Sequence, residues 1–216
     1  MNVSLIIEKT KKSRLKAKKM VPDACVTQSV YLEKKRASEI EFLIITTPPN
    51  ERLGIIENFP NVHYLIVEKP LGLDLKKSLR FSKEIKQRKI FCLVNYWRRY
   101  VKQFLHLKNG ELKKILGNIK SIIIFYGNGI RNNGIHMIDF IRFLFGDISK
   151  IKYNHSDVCK ESPIKNDFNI DFSGFVADIP FKCIPLDFKY FRENGFKFIG
   201  EKGVLSIVND SRTMFY

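Results

Sequence analysis

Long apolar runs are missing from this sequence, and no stretch approaches the roughly 18 residues that a membrane-spanning helix needs. The first residues carry no basic segment ahead of their short apolar run, so we expect no signal peptide. Cysteine is scarce: Cys25, Cys92, Cys159 and Cys183 are scattered and form no Cys-x-x-Cys pair. We therefore expect reduced thiols in a cytoplasmic protein, with no metal site and no membrane association.

Acidic residues are also few, with 22 Asp and Glu against 38 Lys and Arg, which gives a formal net charge of +16. Such a charge permits binding to nucleic acid, to an anionic membrane surface or to a phosphorylated substrate. The lysines, however, are spread along the chain and no nucleic-acid motif accompanies them. A general enrichment in lysine is the simpler explanation, and we expect no nucleic-acid partner; a basic nucleic-acid-associated protein remains a third alternative.

The most informative stretch runs from Val62 to Gly72, where an apolar, β-branched segment leads to Glu68, Lys69 and Pro70. The apolar run is typical of a strand buried in a parallel sheet. Pro70 has no backbone N–H and cannot continue the ladder, so the strand ends there. Glu68 and Lys69 then lie at the carboxyl end of a parallel strand, where open α/β sheets bind their ligands. The alternative is an exposed Glu-Lys pair without function.

Strands and helices alternate at short spacing over residues 1–95, which predicts the βαβ units of a doubly wound, Rossmann-like parallel sheet. A second strand end, at Thr47-Pro48-Pro49, is also stopped by proline, and it should lie beside Glu68-Lys69-Pro70. The basic segment Lys9–Lys19 is either a solvated helix or a patch that faces phosphate. The predicted strands span 3–7, 42–45, 62–67 and 90–94, and the predicted helices 32–39, 51–58 and 75–88, the last capped by Asp74.

From Tyr96 onward the pattern changes to that of an α+β domain, residues 96–216, with a mostly antiparallel sheet. Gly146 is expected to stop a helix, and Gly200–Gly203 to form a hairpin turn. The predicted helices span 101–116 and 135–145, and the predicted strands 119–125, 151–153, 171–177, 184–190, 196–199 and 204–208.

A second group of polar residues follows a glycine- and asparagine-rich loop, Gly127–Gly134. His136 is expected in the first turn of the next helix, where the helix dipole lowers an imidazole pKa and suits it to move a proton. Asp139 lies three residues on, on the same face. The alternative is a structural histidine with an aspartate that hydrogen-bonds to it.

Together these residues resemble the Gfo/Idh/MocA family, named for glucose–fructose oxidoreductase, inositol dehydrogenase and a rhizopine-catabolism protein. Each matching piece is short, and their order and spacing make the resemblance specific over nearly the whole chain. The pieces, in order, are Thr47-Pro48-Pro49, Glu68-Lys69-Pro70-Leu71-Gly72, Arg98-Arg99, Asn132-x-Gly134-x-His136-x-x-Asp139, Leu144-x-Gly146-Asp147 and Ile199-Gly200-x-x-Gly203.

The resemblance implies an oxidoreductase that uses NAD or NADP on a sugar, sugar-nucleotide or cyclitol hydroxyl. By this likeness Lys69 would hydrogen-bond the reacting oxygen and His136 would act as the general acid/base. It also implies homo-oligomers that associate through the C-terminal sheet. The implied cofactor-binding residues are Glu8, Thr47, Pro48, Glu68 and Lys69, and the implied substrate-binding residues are Asn132, Arg98 and Arg99.

The sequence departs from the family in three ways. The family's Gly-x-Gly-x-x-Gly loop, which cradles the cofactor pyrophosphate, does not occur in these 216 residues. Residues 3–8 match the family's second strand and its ribose-binding acid, so one unit on the order of 25 residues, including the central strand, is without a counterpart. The chain also ends where the family's sheet normally continues, and Asn132 replaces an aspartate that is common in the family.

Two expectations follow from the missing loop. Strands on either side of the central position should have no neighbour between them, and this chain should bind NAD(P) weakly or not at all. The chain then represents either a shortened form of a longer enzyme or a real protein that kept the scaffold and lost tight cofactor binding. The alternative function is a non-catalytic binding or assembly subunit derived from such an enzyme. Glu8 favours NAD, whereas Lys9, Lys11 and Lys12 would tolerate NADP.

Overall fold

A computed structural model describes residues 2–216 of the chain. The chain divides into two compact units, an N-terminal unit of residues 1–95 and a C-terminal unit of residues 96–216. Each unit has its own hydrophobic core. Over the described residues, every helix is too short or too polar to cross a membrane.

The N-terminal unit consists of short strands that alternate with helices, and every strand pairing in it is parallel. Its strands are β1 (Leu5–Ile7), β2 (Cys25–Thr27), β3 (Phe42–Ile45), β4 (Tyr64–Val67) and β5 (Phe91–Val94), and its helices are α1 (Lys11–Met20), α2 (Lys34–Ser38), α3 (Arg52–Ile56) and α4 (Leu75–Gln87). The α/β class predicted from the sequence is therefore confirmed.

The parallel strands of this unit form two sheets rather than one. One sheet has the order β1-β2 and the other the order β3-β4-β5. Within residues 2–216, β1 pairs only with β2 and β3 pairs only with β4, so each has one edge without a strand neighbour. The expectation that strands flanking the central position would lack a neighbour is confirmed.

Both sheets pack against one core. Leu65, Val67 and Ile45 are buried with Phe81 and Ile85, which lie four residues apart on one face of α4. Asp74 caps α4 as predicted, since its side chain accepts from Lys77 N at 2.7 Å. The basic segment forms helix α1, which buries none of its residues.

The C-terminal unit is a seven-stranded sheet in the order β12-β11-β10-β6-β9-β8-β7, packed against helices. All of its pairings are antiparallel except β6 with β9. The strands are β6 (Ile119–Gly127), β7 (Ile148–Val158), β8 (Phe168–Val176), β9 (Ile179–Leu186), β10 (Gly195–Gly200), β11 (Val204–Val208) and β12 (Thr213–Phe215), and the helices are α5 (Lys102–His106), α6 (Leu112–Leu116) and α7 (Ile135–Phe145).

Alternate residues of β6 define the two faces of this sheet. Ile122 and Ile124 are fully buried in the core, where Phe140 of α7 also lies. Ile123 and Phe125 are half-buried on the opposite face, because successive strand residues point to opposite sides. One face of the sheet is therefore covered by helices, and the other presents apolar side chains.

Three local predictions were wrong. The helix expected over residues 101–116 is broken at Asn109 and Gly110, where Gly110 has a φ of +113°. The expected loop Gly127–Gly134 is partly helical, because Ile130–Gly134 forms a π turn that leads into α7. The strand expected over 184–190 lies earlier, as β9, and the three-residue strands β2 and β12 were not predicted.

Candidate functional site

The two proline-containing turns of the N-terminal unit follow neighbouring strands. Strands β3 and β4 are parallel, with Ile45 opposite Val67, so the turns after them leave the sheet at the same edge. Thr47 is half-buried and Pro48 is exposed, while Glu68 and Lys69 are both half-buried. The Lys69–Pro70 peptide bond is cis. The structure therefore brings four of the five predicted cofactor-binding residues to one edge.

Arg52, which the sequence did not single out, joins these two turns. Its side chain is only 1% exposed. Nε donates to the carbonyl of Thr47 at 3.1 Å, and Nη1 donates to the carbonyl of Pro70 at 2.8 Å. Burial lowers the pKa of Arg52, and the nearby Glu68 and Cys92 partly offset that effect. The guanidinium thus fixes the spacing of the two turns from within.

A third strand end holds Glu68 in place. Asn95 follows β5, and its side-chain Nδ2 donates to Glu68 Oε1 at 2.6 Å. The backbone continues the ladder there, since Asn95 N donates to the carbonyl of Val67 at 2.8 Å. Glu68 is therefore oriented by the strand next to its own.

One polar side-chain atom at this edge is buried without a hydrogen-bond partner. Thr47 Oγ1 is buried and has no hydrogen-bond partner within residues 2–216. A buried hydroxyl without a hydrogen-bond partner destabilises the folded protein unless a ligand or a water molecule supplies that partner. The hydroxyl can both donate and accept, so it suits the amide or ribose groups of a bound nucleotide.

The fifth predicted cofactor residue, Glu8, lies at the end of β1 and is half-buried. The turn that follows it contains no glycine and leads directly into α1, whose N-cap is Thr10. The carbonyls of Glu8 and Lys9 both accept from Arg14 Nη1, at 2.9 and 2.8 Å. This turn directs its carbonyls at a side chain of its own helix, and it contains no glycine-rich loop.

The predicted substrate-side residues all lie in the C-terminal unit. Asn132 is in the π turn and His136 is in α7, and both are half-buried. The ring of Tyr96 meets the ring of His136 edge to face, with centroids 5.8 Å apart. Because the helical run starts at Ile130, His136 lies one turn further from its N-terminus than predicted, which weakens the dipole argument for that residue.

Arg99 and Asp139 form a bidentate ion pair. Arg99 Nε and Nη2 donate to the two carboxylate oxygens of Asp139 at 2.9 and 2.6 Å. This hydrogen bonding is the main reason that the pKa of Arg99 is raised. The pKa of Tyr96 is raised chiefly by burial and secondarily by the Asp139 carboxylate. Asp139 therefore orients Arg99, a contact that the sequence did not predict.

Arg98, the neighbour of Arg99, contacts different residues and is only 5% exposed. Its Nε donates to Ser211 Oγ at 2.8 Å, and its guanidinium lies 4.5 Å from the centre of the Trp97 ring. Burial lowers its pKa to about 10, partly offset by Asp210 and Asp139. The two arginines thus differ: Arg98 is held in the interior, and Arg99 is half-buried beside Tyr96. Over residues 2–216, no group of three or more His, Cys, Asp or Glu side chains is placed to hold a metal ion.

The comparisons with known proteins agree with this architecture. No family model matches the chain. The chain is 22% identical over 125 residues to the rhizopine catabolism protein MocA of Rhizobium meliloti; the match covers 51% of this chain and 39% of MocA. The chain thus matches well under half of the length of that relative.

Similar solved structures share the fold over nearly the whole chain. The WlbA dehydrogenase of Chromobacterium violaceum, solved with NADH and UDP-GlcNAcA, has a TM-score of 0.77 at 15% identity, over 100% of this chain and 69% of that one. A myo-inositol dehydrogenase of Corynebacterium glutamicum has a TM-score of 0.76 at 17% identity, over 96% of this chain and 68% of that one. The super-repressor mutant of Gal80p from Saccharomyces cerevisiae has a TM-score of 0.78 at 15% identity, over 99% of this chain and 67% of that one.

The fold and the strand-end residues define a Rossmann-type α/β protein with an added mixed sheet. The chain is thus similar in sequence to MocA over about half of its length, and similar in fold to the dehydrogenases named above.

The residues present fit one part of a nicotinamide cofactor. The unpartnered Thr47 hydroxyl and the fixed Glu68 provide polar contacts at the β3–β4 edge. The 216 residues contain no Gly-x-Gly-x-x-Gly, the pattern that cradles a cofactor pyrophosphate. The fit is therefore confined to the edge that carries Lys69.

Proposed function

We propose that the chain provides the substrate-side and nicotinamide-side residues of an NAD(P)-dependent oxidoreductase that acts on a sugar, sugar-nucleotide or cyclitol hydroxyl. The observation that carries the proposal is the pair of strand-end turns, joined by Arg52, which hold Lys69 and the unpartnered Thr47 hydroxyl at one edge. The WlbA and myo-inositol dehydrogenases, named for such activities, support it through the shared fold.

In this proposal each named side chain has a defined task. Lys69 donates a hydrogen bond to the oxygen of the reacting carbon, and His136 takes the hydroxyl proton when that carbon becomes a carbonyl. Asn132 donates to a neighbouring hydroxyl, and Arg99, oriented by Asp139, adds a positive charge on the substrate side. When bound, the nicotinamide supplies the hydride chemistry. Thr47, Pro48 and Glu68 line its binding edge, and Glu8 binds a ribose hydroxyl.

The catalytic proposal is tested by assaying the 216-residue chain with sugars, sugar nucleotides and cyclitols at high NAD(P)⁺ concentration, following reduced nicotinamide. Slow turnover is expected, and Lys69→Met or His136→Asn should lower it roughly 100-fold or more. Arg88→Met, which changes an exposed charge paired with Glu84 on α4, serves as the control. Turnover that survives both site substitutions would contradict the assigned roles.

Cofactor affinity is a separate test. Calorimetric titration with NADH or NADPH should give weak or undetectable binding, because these 216 residues contain no Gly-x-Gly-x-x-Gly loop to hold the pyrophosphate. Thr47→Val should weaken any residual binding, since it removes the unpartnered hydroxyl and keeps the shape of the side chain. Micromolar affinity in the wild type would contradict the prediction.

The second candidate function is a non-catalytic binding or assembly subunit. Gal80p, whose super-repressor mutant has a similar fold, is named as a repressor protein and not as an enzyme, and this supports the alternative. Absence of turnover together with retained binding of a sugar-type ligand, abolished by Asn132→Ala, would support it over the enzyme.

We also propose that two copies of the chain associate through the helix-free face of the C-terminal sheet. That face carries the half-buried apolar residues Ile123, Phe125, Ile184 and Leu186. Light scattering after size exclusion should give a dimer or larger assembly, and Ile123→Lys should shift it toward the monomer. Arg88→Met, which changes an exposed charge on helix α4 of the N-terminal unit, is the control. A wild-type monomer would contradict this proposal.

A further inference from the structure

Asp167, the residue just before β8, is fully buried at 0% exposure. One carboxylate oxygen accepts from Arg131 N at 3.0 Å and from Phe168 N at 2.9 Å. The other accepts from Asn132 N at 3.1 Å and from Ser162 Oγ at 2.8 Å. Four donors thus converge on one carboxylate, and two of them belong to the turn that carries Asn132.

The position of these two amides explains the contact. The helical run formed by the π turn and α7 begins at Ile130, so Arg131 and Asn132 are its second and third residues. Amides at these positions have no acceptor within a helix, and the side chain of the residue that precedes the helix usually binds them. Here that residue is Gly129, which has no side chain. The Asp167 carboxylate, whose charge also suits the helix dipole, caps the run from a distant part of the sequence.

The backbone around Gly129 leaves room for the Asp167 carboxylate, and neighbouring hydrogen bonds hold both segments in place. Gly129 has a φ of +88°, and a Cβ there would overlap the Asp167 carboxylate. Gly129 N donates to Asn169 Oδ1 at 3.0 Å, and Cys159 N donates to the Asp167 carbonyl at 2.9 Å. The start of the helical run is therefore fixed to the start of β8 by three backbone amides, those of Gly129, Arg131 and Asn132.

We propose that Asp167 is a positioning residue for the substrate side of the site. By capping the helical run from the start of β8, Asp167 fixes the position of the Asn132 backbone directly. It thereby also fixes the position of His136, which lies one helical turn further along the run. The cap itself follows from geometry alone; only the roles of Asn132 and His136 rest on the proposed function.

The test compares Asp167→Ala and Asp167→Asn with the control Asp157→Asn, which changes an exposed acid on β7. Amide hydrogen exchange of residues 130–134 should become about tenfold faster in Asp167→Ala, the size expected for a lost cap. Asp167→Asn retains one acceptor oxygen, so only one of the two amides, Arg131 or Asn132, should lose protection. In both variants the ring resonances of His136 should shift, while amides of β10 and β11 should stay protected.

Chemical rescue provides a second, independent readout. Removal of the carboxylate in Asp167→Ala leaves a small space lined by the same amide and hydroxyl donors. Formate should fill it and restore the protection of residues 130–134, whereas chloride at equal ionic strength should not. The Asp167→Asn variant, in which the space is filled, should not respond to formate.

The outcomes separate the two proposals. Unchanged exchange in residues 130–134, or equally faster exchange throughout the unit, would overturn the cap. In the Asp167 variants, exchange in residues 130–134 could become faster while the His136 resonances do not shift. If, in addition, kcat and KM stay unchanged where the wild type turns over, the positioning role would be overturned. A wild type without turnover or ligand binding, but with the expected exchange and His136 shifts, would refute the proposed function and still support the cap and its effect on the position of His136.

Discussion

Replacing Arg52 by methionine is the substitution with the largest expected effect on the N-terminal unit. It removes the hydrogen bonds to the carbonyls of Thr47 and Pro70 and leaves both carbonyls without that donor. Hydrogen bonds from a charged group contribute about 1.5–3 kcal/mol each. Burial of the guanidinium opposes this, as its lowered pKa indicates. We therefore expect a net loss of about 2–4 kcal/mol in the free energy of unfolding.

Urea unfolding followed by circular dichroism measures this loss, and hydrogen exchange locates it. Peptides that cover residues 42–72 should exchange faster, and those from β6 should not. Arg52→Lys keeps the charge and reaches one carbonyl, so its effect should be smaller. Arg88→Met removes an exposed ion pair with Glu84 and should change stability by less than about 0.5 kcal/mol. An Arg52→Met variant as stable as Arg88→Met, with unchanged exchange, would refute the assigned role of Arg52.

Two further predictions concern the C-terminal unit. The hydrogen bond from Lys120 is the main reason that the pKa of Glu201 is lowered to about 2 from 4.5, so the stabilisation is present above pH 4.5 and is lost as the pH falls toward 2. Glu201→Gln should therefore lower Tm near neutral pH and have no effect near pH 2; a difference independent of pH would contradict this. Gly129→Ala should cost about 2 kcal/mol or more, because of its positive φ and the overlap described above, whereas Gly54→Ala, with nothing within 4 Å of the new Cβ, should not destabilise. Equal Tm values for the two alanine variants would be inconsistent with the fixed start of the helical run.

Features that depend on local sequence were predictable. The proline-stopped strand ends, the Asp74 cap and the turn at Gly200–Gly203, where Gly200 N donates to the Gly203 carbonyl at 2.9 Å, each follow from a few neighbouring residues. The separation of the parallel strands into two sheets also followed, since the resemblance to the family indicated which strand has no counterpart.

Features that depend on long-range contacts were not predictable. An arginine in a five-residue helix looks like a solvated side chain, and only the turn 18 residues further along makes Arg52 a buried one. Asp167 caps amides 35 and 36 residues earlier in the chain. By contrast, the break at Gly110 did have a local signal, because glycine within a helical pattern disfavours the helix.

The central position of β6 has a consequence for the order in which the protein folds. This strand contains the run Ile122-Ile123-Ile124-Phe125, and its two neighbours, β9 and β10, begin only at Ile179 and Gly195. During synthesis β6 therefore emerges long before either neighbour exists, with both edges unpaired and a β-branched apolar segment exposed. Such segments are prone to aggregate before their partners arrive. We expect the yield of folded protein to depend on how quickly the ribosome completes the last part of the chain, and on chaperones that shield β6 until then.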